Sequence, residues 1–120
     1  MNPGDITLAA LIQGDGAIKY RPSLVLAVLP PFGDLLLCGI STQLRHLQEG
    51  FDEIISPDQE DFRRSGFRRS GLRAESLFRL GNLTTYPAHD CAVRVGAVSA
   101  ARLRRLLTNL SEFLRPSQTP

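Results

Sequence analysis

The stretch SLVLAVLPPFGDLLLCGI, residues 23–40, decides the fold class. Ser23 to Leu29 is a β-branched and leucine run of the kind that forms a buried strand, and Leu35 to Ile40 is a second. Between them stands Pro30-Pro31-Phe32-Gly33-Asp34, in which proline restricts φ and Gly33 is free to take a positive φ. The two runs therefore read as one antiparallel hairpin. Working outward, Ile6 to Ile12 reads as a strand that stops at the turn cluster Gly14-Asp15-Gly16. On the other side, residues 49–61 hold six acids, no base and Pro57, a loop around a short strand at Glu53–Ile55. Ser76 to Leu83 and Ala92 to Val98 are further strands, separated by turn chemistry at Pro87.

The period changes in the last segment. Leu103, Leu106, Leu107, Leu110 and Leu114 fall on one helical face, and Arg102, Arg104, Arg105, Asn109 and Glu112 on the other. Ser99 caps the start and Pro116 lies just past the end. Five or six short strands closed by one amphipathic helix indicate the α+β class, built on a small, strongly curved antiparallel β-barrel. One domain is expected over residues 1–115, with a short C-terminal tail at 116–120.

Composition narrows the function classes. The chain has 120 residues, 42% of them hydrophobic, which suits a single domain with a modest core. No apolar run approaches the ~18–20 residues of a membrane span, and no secretory signal is visible at the N-terminus. Cys38 and Cys91 match no clustered metal spacing, which excludes a disulfide scaffold and a zinc finger and suggests reduced thiols in a cytosolic protein. The net charge of +2 hides an asymmetry: residues 1–61 carry nine acids and three bases, and residues 62–120 carry eleven bases and three acids. Such a split points to a polyanion partner, an acidic protein partner, or pairing of the halves within the fold. Phe62-Arg63-Arg64-Ser65-Gly66 is repeated unchanged as Phe67-Arg68-Arg69-Ser70-Gly71. This tandem copy reads as a duplication in an exposed loop, whose added basic charge would assist binding to a phosphate backbone.

Few motifs carry chemistry. His46 and His89 are the only histidines, and a surface or capping role outweighs an acid–base pair for them. No histidine–carboxylate cluster has metal-ligand spacing, and no phosphate-cradling or dinucleotide loop occurs. Two places combine polar residues with strand ends. Lys19-Tyr20-Arg21-Pro22 sets two cations and an aromatic ring before an apolar strand, and Pro22 holds Arg21 toward extended geometry. Ser41-Thr42-Gln43 follows the partner strand. Pairing through the Phe32-Gly33 turn would bring Arg21 and Ser41 to one edge of the sheet, a guanidinium beside a hydroxyl cluster suited to an oxyanion or a phosphodiester.

Gly4-Asp5-Ile6, Lys19-Tyr20-Arg21-Pro22, Gly39-Ile40-Ser41-Thr42-Gln43 and the runs Pro30 to Gln43 and Phe51 to Ile55 together resemble the MazF/PemK family of toxin endoribonucleases, in its PemK-like branch. The resemblance extends from Gly4 to about Leu114. It implies an SH3-like barrel with helices, a homodimer, a cytoplasmic location and a cognate antitoxin partner. It also implies cleavage of single-stranded RNA with no metal and no cofactor. Arg21 and Ser41 would be the catalytic residues, and Thr42 and Gln43 would flank the substrate, with Lys19 and Tyr20 also on the RNA. Arg79 would fill a further arginine position, whereas Gly81 stands where some relatives have an acid. The attacking group would be the RNA's own 2′-hydroxyl, with Arg21 stabilising charge on the phosphate and Tyr20 stacking on an unpaired base.

Overall fold

A computed structural model describes residues 1–12, 14–64, 74–90 and 93–117. Six strands, β1 (Asp5–Ile12), β2 (Ile18–Leu29), β3 (Asp34–Ser41), β4 (Glu53–Ile55), β5 (Ser76–Tyr86) and β6 (Arg94–Ala97), form one sheet in the order β4-β5-β3-β2-β1-β6. Every neighbouring pair is antiparallel. A five-residue helix, α1 (Glu60–Arg64), follows β4, and the longer α2 (Ala100–Leu114) follows β6. The sheet curls into a half-barrel, so the chain has the expected α+β architecture. Register shifts at Ile6/Thr7, Val25/Ala27 and Cys38/Gly39 interrupt three of the ladders. Irregularities of this kind bend strands and raise their twist, which lets a small sheet curl.

The hairpin at the centre forms as its sequence indicates. The β2–β3 ladder runs from Leu29 opposite Asp34 to Ser23 opposite Gly39, and Gly33 turns the chain at φ +78°. Side chains alternate across each strand, and the two faces bury different clusters. Ile6, Leu24, Leu26, Cys38, Phe78 and Leu80 pack with Leu106 and Leu110 of α2 in the main core. On the opposite face Ala9, Val25, Leu35 and Leu37 form a smaller cluster flanked by Leu11 and Tyr86. Ser99 caps α2, its hydroxyl accepting from the Arg102 N–H at 3.2 Å. No helix among the described residues is long and apolar enough to cross a membrane.

Three expectations change on contact with the fold. Arg102, assigned by periodicity to the solvent face of α2, is 4% exposed, while Leu114 of the apolar face is 65% exposed. The reason lies in the acidic stretch, which is not simply a solvated loop. Arg102 donates to Asp61 at 2.7 and 3.2 Å, to Glu53 at 3.0 Å, to the Ile54 carbonyl at 3.1 Å and to Gln59 at 2.9 Å. Its guanidinium carbon also sits 5.7 Å from the centre of the Phe78 ring. Arg105 adds a 2.8 Å bond to Glu53. Burial opposes the Asp61 charge, but the Arg102 guanidinium and the Ser99 N–H outweigh it and hold the carboxyl below the usual aspartate range. Finally, the tandem repeat does not begin in an exposed loop, because Phe62 is buried in the main core from α1. The repeat from residue 65 onward, and Cys91, lie outside the described residues.

Candidate functional site

The face bearing the smaller cluster also carries the polar groups. Stepping back along β2 by twos from buried Val25 gives Ser23, Arg21 and Lys19, and stepping forward along β3 from Leu37 gives Gly39 and Ser41. Ser23 pairs with Gly39, so the same register continued by two residues sets Arg21 opposite Ser41. On the other side of β3, Gly39 pairs with Arg79 of β5. Arg21, Ser41 and Arg79 thus come from three adjacent strands to one cavity of about 320 Å³, which Thr42 and Gln43 also line. Leu11 and Pro22 supply apolar wall.

Local bonding leaves donors available there. Ser41 Oγ accepts from the Gln43 N–H at 3.0 Å, which fixes the turn and leaves the hydroxyl proton free to donate. Gln43 Oε1 accepts from Arg45 at 2.8 Å, so its amide NH₂ remains a donor. Among the described residues neither Arg21 nor Arg79 takes part in an ion pair. The cavity therefore combines two arginine side chains with hydroxyl and amide donors, a lining suited to an oxyanion.

Asn82 belongs to the same lining and was not singled out in the sequence. Cys38 pairs with Leu83 but Gly39 pairs with Arg79, so Leu80, Gly81 and Asn82 bulge out of the β3–β5 ladder. The bulge lays the Asn82 side chain over Gly39, where an added Cβ would collide with its amide. Asp52 holds the bulge, its Oδ1 accepting from the Leu80 N–H at 2.9 Å and its Oδ2 from the Gln48 N–H at 2.9 Å. Under the bulge, the Cys38 thiol donates to the Arg79 carbonyl at 3.2 Å. Burial, reinforced by the charge of Asp52, pushes that thiol far above its usual pKa, so it stays protonated and unreactive.

The remaining candidates lie elsewhere. Tyr20 pairs with Ala10 and takes the opposite face of β2 from Arg21; it is 74% exposed beside Ile12 and Ile18. Lys19 shares the Arg21 face but lies beyond the cavity lining, toward the tip of the β1–β2 hairpin. Gly81 and Arg79 line a second, wider cavity of about 890 Å³. His46 lines that cavity too, whereas His89 is exposed and sits 3.3 Å from Asp90. Among the described residues no group of three His, Cys, Asp or Glu side chains converges as a metal site would require.

No family model matches the sequence, and no curated protein does. The solved structures do contain a likeness. The toxin MazF-mt6 of Mycobacterium tuberculosis has a TM-score of 0.63 with this chain, at 23% sequence identity over 92% of this chain and 95% of that one. The chain has the fold of that toxin across nearly its whole length.

Proposed function

We propose that this chain is the toxin of a type II toxin–antitoxin pair, an endoribonuclease of the MazF/PemK kind that cuts single-stranded RNA. The observation that carries the reading is the convergence of Arg21, Ser41 and Arg79 on one donor-lined cavity, within a fold shared with a MazF toxin. The scissile phosphate occupies that cavity. The RNA's 2′-hydroxyl attacks phosphorus, the bond to the 5′ oxygen breaks, and the products are a 2′,3′-cyclic phosphate and a 5′-hydroxyl end. The proton lost by the 2′-hydroxyl passes to solvent, and the leaving oxygen regains one from it. Arg21 and Arg79 stabilise charge as it grows on the non-bridging oxygens. Ser41 donates to the phosphate or orients the attacking hydroxyl. Thr42, Gln43 and Lys19 contact the flanking backbone, and Tyr20 stacks on a base that reaches the outer side of the hairpin. The active form is a cytoplasmic homodimer, neutralised by its antitoxin.

Purified protein and Arg21→Ala, each incubated in EDTA with a mixed-sequence single-stranded RNA, test the assignment. Wild type should cut and leave cyclic phosphate ends, and Arg21→Ala should be roughly 10²–10³-fold slower with its fold intact. Equal rates would remove Arg21 from the mechanism. A second reading is favoured by Gly81, which supplies no carboxylate at its position two residues after Arg79 on β5: a module that binds RNA or an antitoxin and cuts weakly or not at all. Retained RNA binding without cleavage by wild type would select it.

A further inference from the structure

The wider cavity, at about 890 Å³, shares Arg79 with the phosphate cleft. Its lining differs in kind. Phe113 of α2 is 71% exposed and meets Phe51 at 5.0 Å between ring centroids, tilted by 43°. An exposed phenylalanine braced by a second ring is a platform for a flat ligand. Besides Arg79, His46 and Gln48, the lining carries acceptors. Asn109 spends an amide proton on the Phe51 carbonyl at 3.0 Å, which holds the ring pair in place and leaves Oδ1 open. Glu49 and Glu112 bring carboxylates, and Glu112 accepts from Arg115 across 3.4 Å. Both oxygens of Asp52 are taken by backbone N–H groups.

Exposed carboxylates beside an exposed aromatic ring suit a nucleobase. Guanine presents two adjacent donors on its Watson–Crick edge, the ring N–H and the amino group, which a single carboxylate accepts side by side. Adenine and cytosine set their amino group beside an acceptor nitrogen, and uracil flanks its one donor with carbonyls; each brings a lone pair toward the carboxylate. We infer that this cavity is a guanine-reading subsite, with the base stacked on Phe113 and its donor edge on Glu112, next to the phosphate held by Arg79. The inference rests on the ribonuclease reading only for the neighbouring phosphate.

Binding of 2′-deoxy pentanucleotides, which lack the attacking hydroxyl, tests it without cleavage. A single guanine is walked through an otherwise uracil-containing oligomer, and affinity is read by fluorescence anisotropy. One guanine position should bind about tenfold tighter than the oligomer without guanine. Phe113→Ala and Glu112→Gln, both at exposed positions that leave the core untouched, should each reduce that gain severalfold, and together abolish it. Absence of a guanine gain, or a gain that survives the double variant, overturns the subsite. Arg21→Ala separates the two proposals: it should weaken every oligomer equally and leave the guanine gain intact. A guanine gain with no effect of Arg21→Ala would retain the subsite and reject the phosphate cleft.

Discussion

At the scale of single residues, the cavity depends on side chains of two kinds. The meeting of Arg21 and Ser41 was legible in the sequence because a four-residue turn leaves the hairpin register little freedom, and the register sets which residues face each other. Strand alternation could also have separated Tyr20 from Arg21 beforehand. Asn82 was not legible, since it reaches the cavity through a bulge that no local pattern announces. Its dependence on Gly39 is testable. Gly39→Ala should drive the Asn82 amide out of the cavity and lower cleavage to the level of Asn82→Ala. The double variant should then be no slower than either single one, the non-additivity of residues that act through one contact. Additive losses in single-turnover rates would show that Gly39 acts by another route. Ser41→Ala should cost about tenfold in rate, less than Arg21→Ala, because it removes a neutral donor rather than a charge.

At the scale of elements, α2 is held by more than its leucines. Periodicity located the helix and its Ser99 cap correctly, but it assigned every arginine to solvent. A hydrophobic pattern cannot show that a distant acidic stretch will fold back over one of them. The Arg102–Asp61 pair joins α2 to α1, and through Glu53 to β4. Removing Asp61 leaves Arg102 with Glu53 as its remaining carboxylate partner, so Asp61→Ala should destabilise the protein by about 1.5–3 kcal/mol in urea unfolding at neutral pH. The same pair predicts acid sensitivity. Asp61 has a lowered pKa in the fold, so its contribution is complete above the ordinary aspartate value near ~4 and is lost as pH falls through the lowered value. The stability difference between wild type and Asp61→Asn should therefore shrink on the acid side of pH ~4 and stay level between pH 6 and 8. A difference that does not change with pH would mean the carboxyl acts by shape alone.

At the scale of the whole molecule, part of the charge asymmetry is settled inside the fold among the described residues. Arg94 pairs with Asp5, Arg102 with Asp61 and Glu53, Arg105 with Glu53, and Arg115 with Glu112. Of the explanations the composition allowed, pairing of the two halves accounts for Arg94, Arg102 and Arg105, while Arg115 pairs within the second half; composition alone could not distinguish paired from unpaired arginines. Among the described residues, a polyanion would meet Arg21 and Arg79 lining the cleft, with Lys19 on the same strand face. Binding of single-stranded RNA releases counterions in proportion to the phosphates neutralised, with a slope of about −0.7 in log affinity against log salt per contact. Arg21→Ala and Arg79→Ala should each reduce the magnitude of that slope by about 0.7. Arg104, which lines a groove along α2 with Leu103 and Leu107, belongs to a different surface, and Arg104→Ala should leave the slope unchanged although it removes the same formal charge. Equal changes for all three variants would mean that RNA responds to the net charge of the molecule, and that the cleft has no special claim on the phosphate.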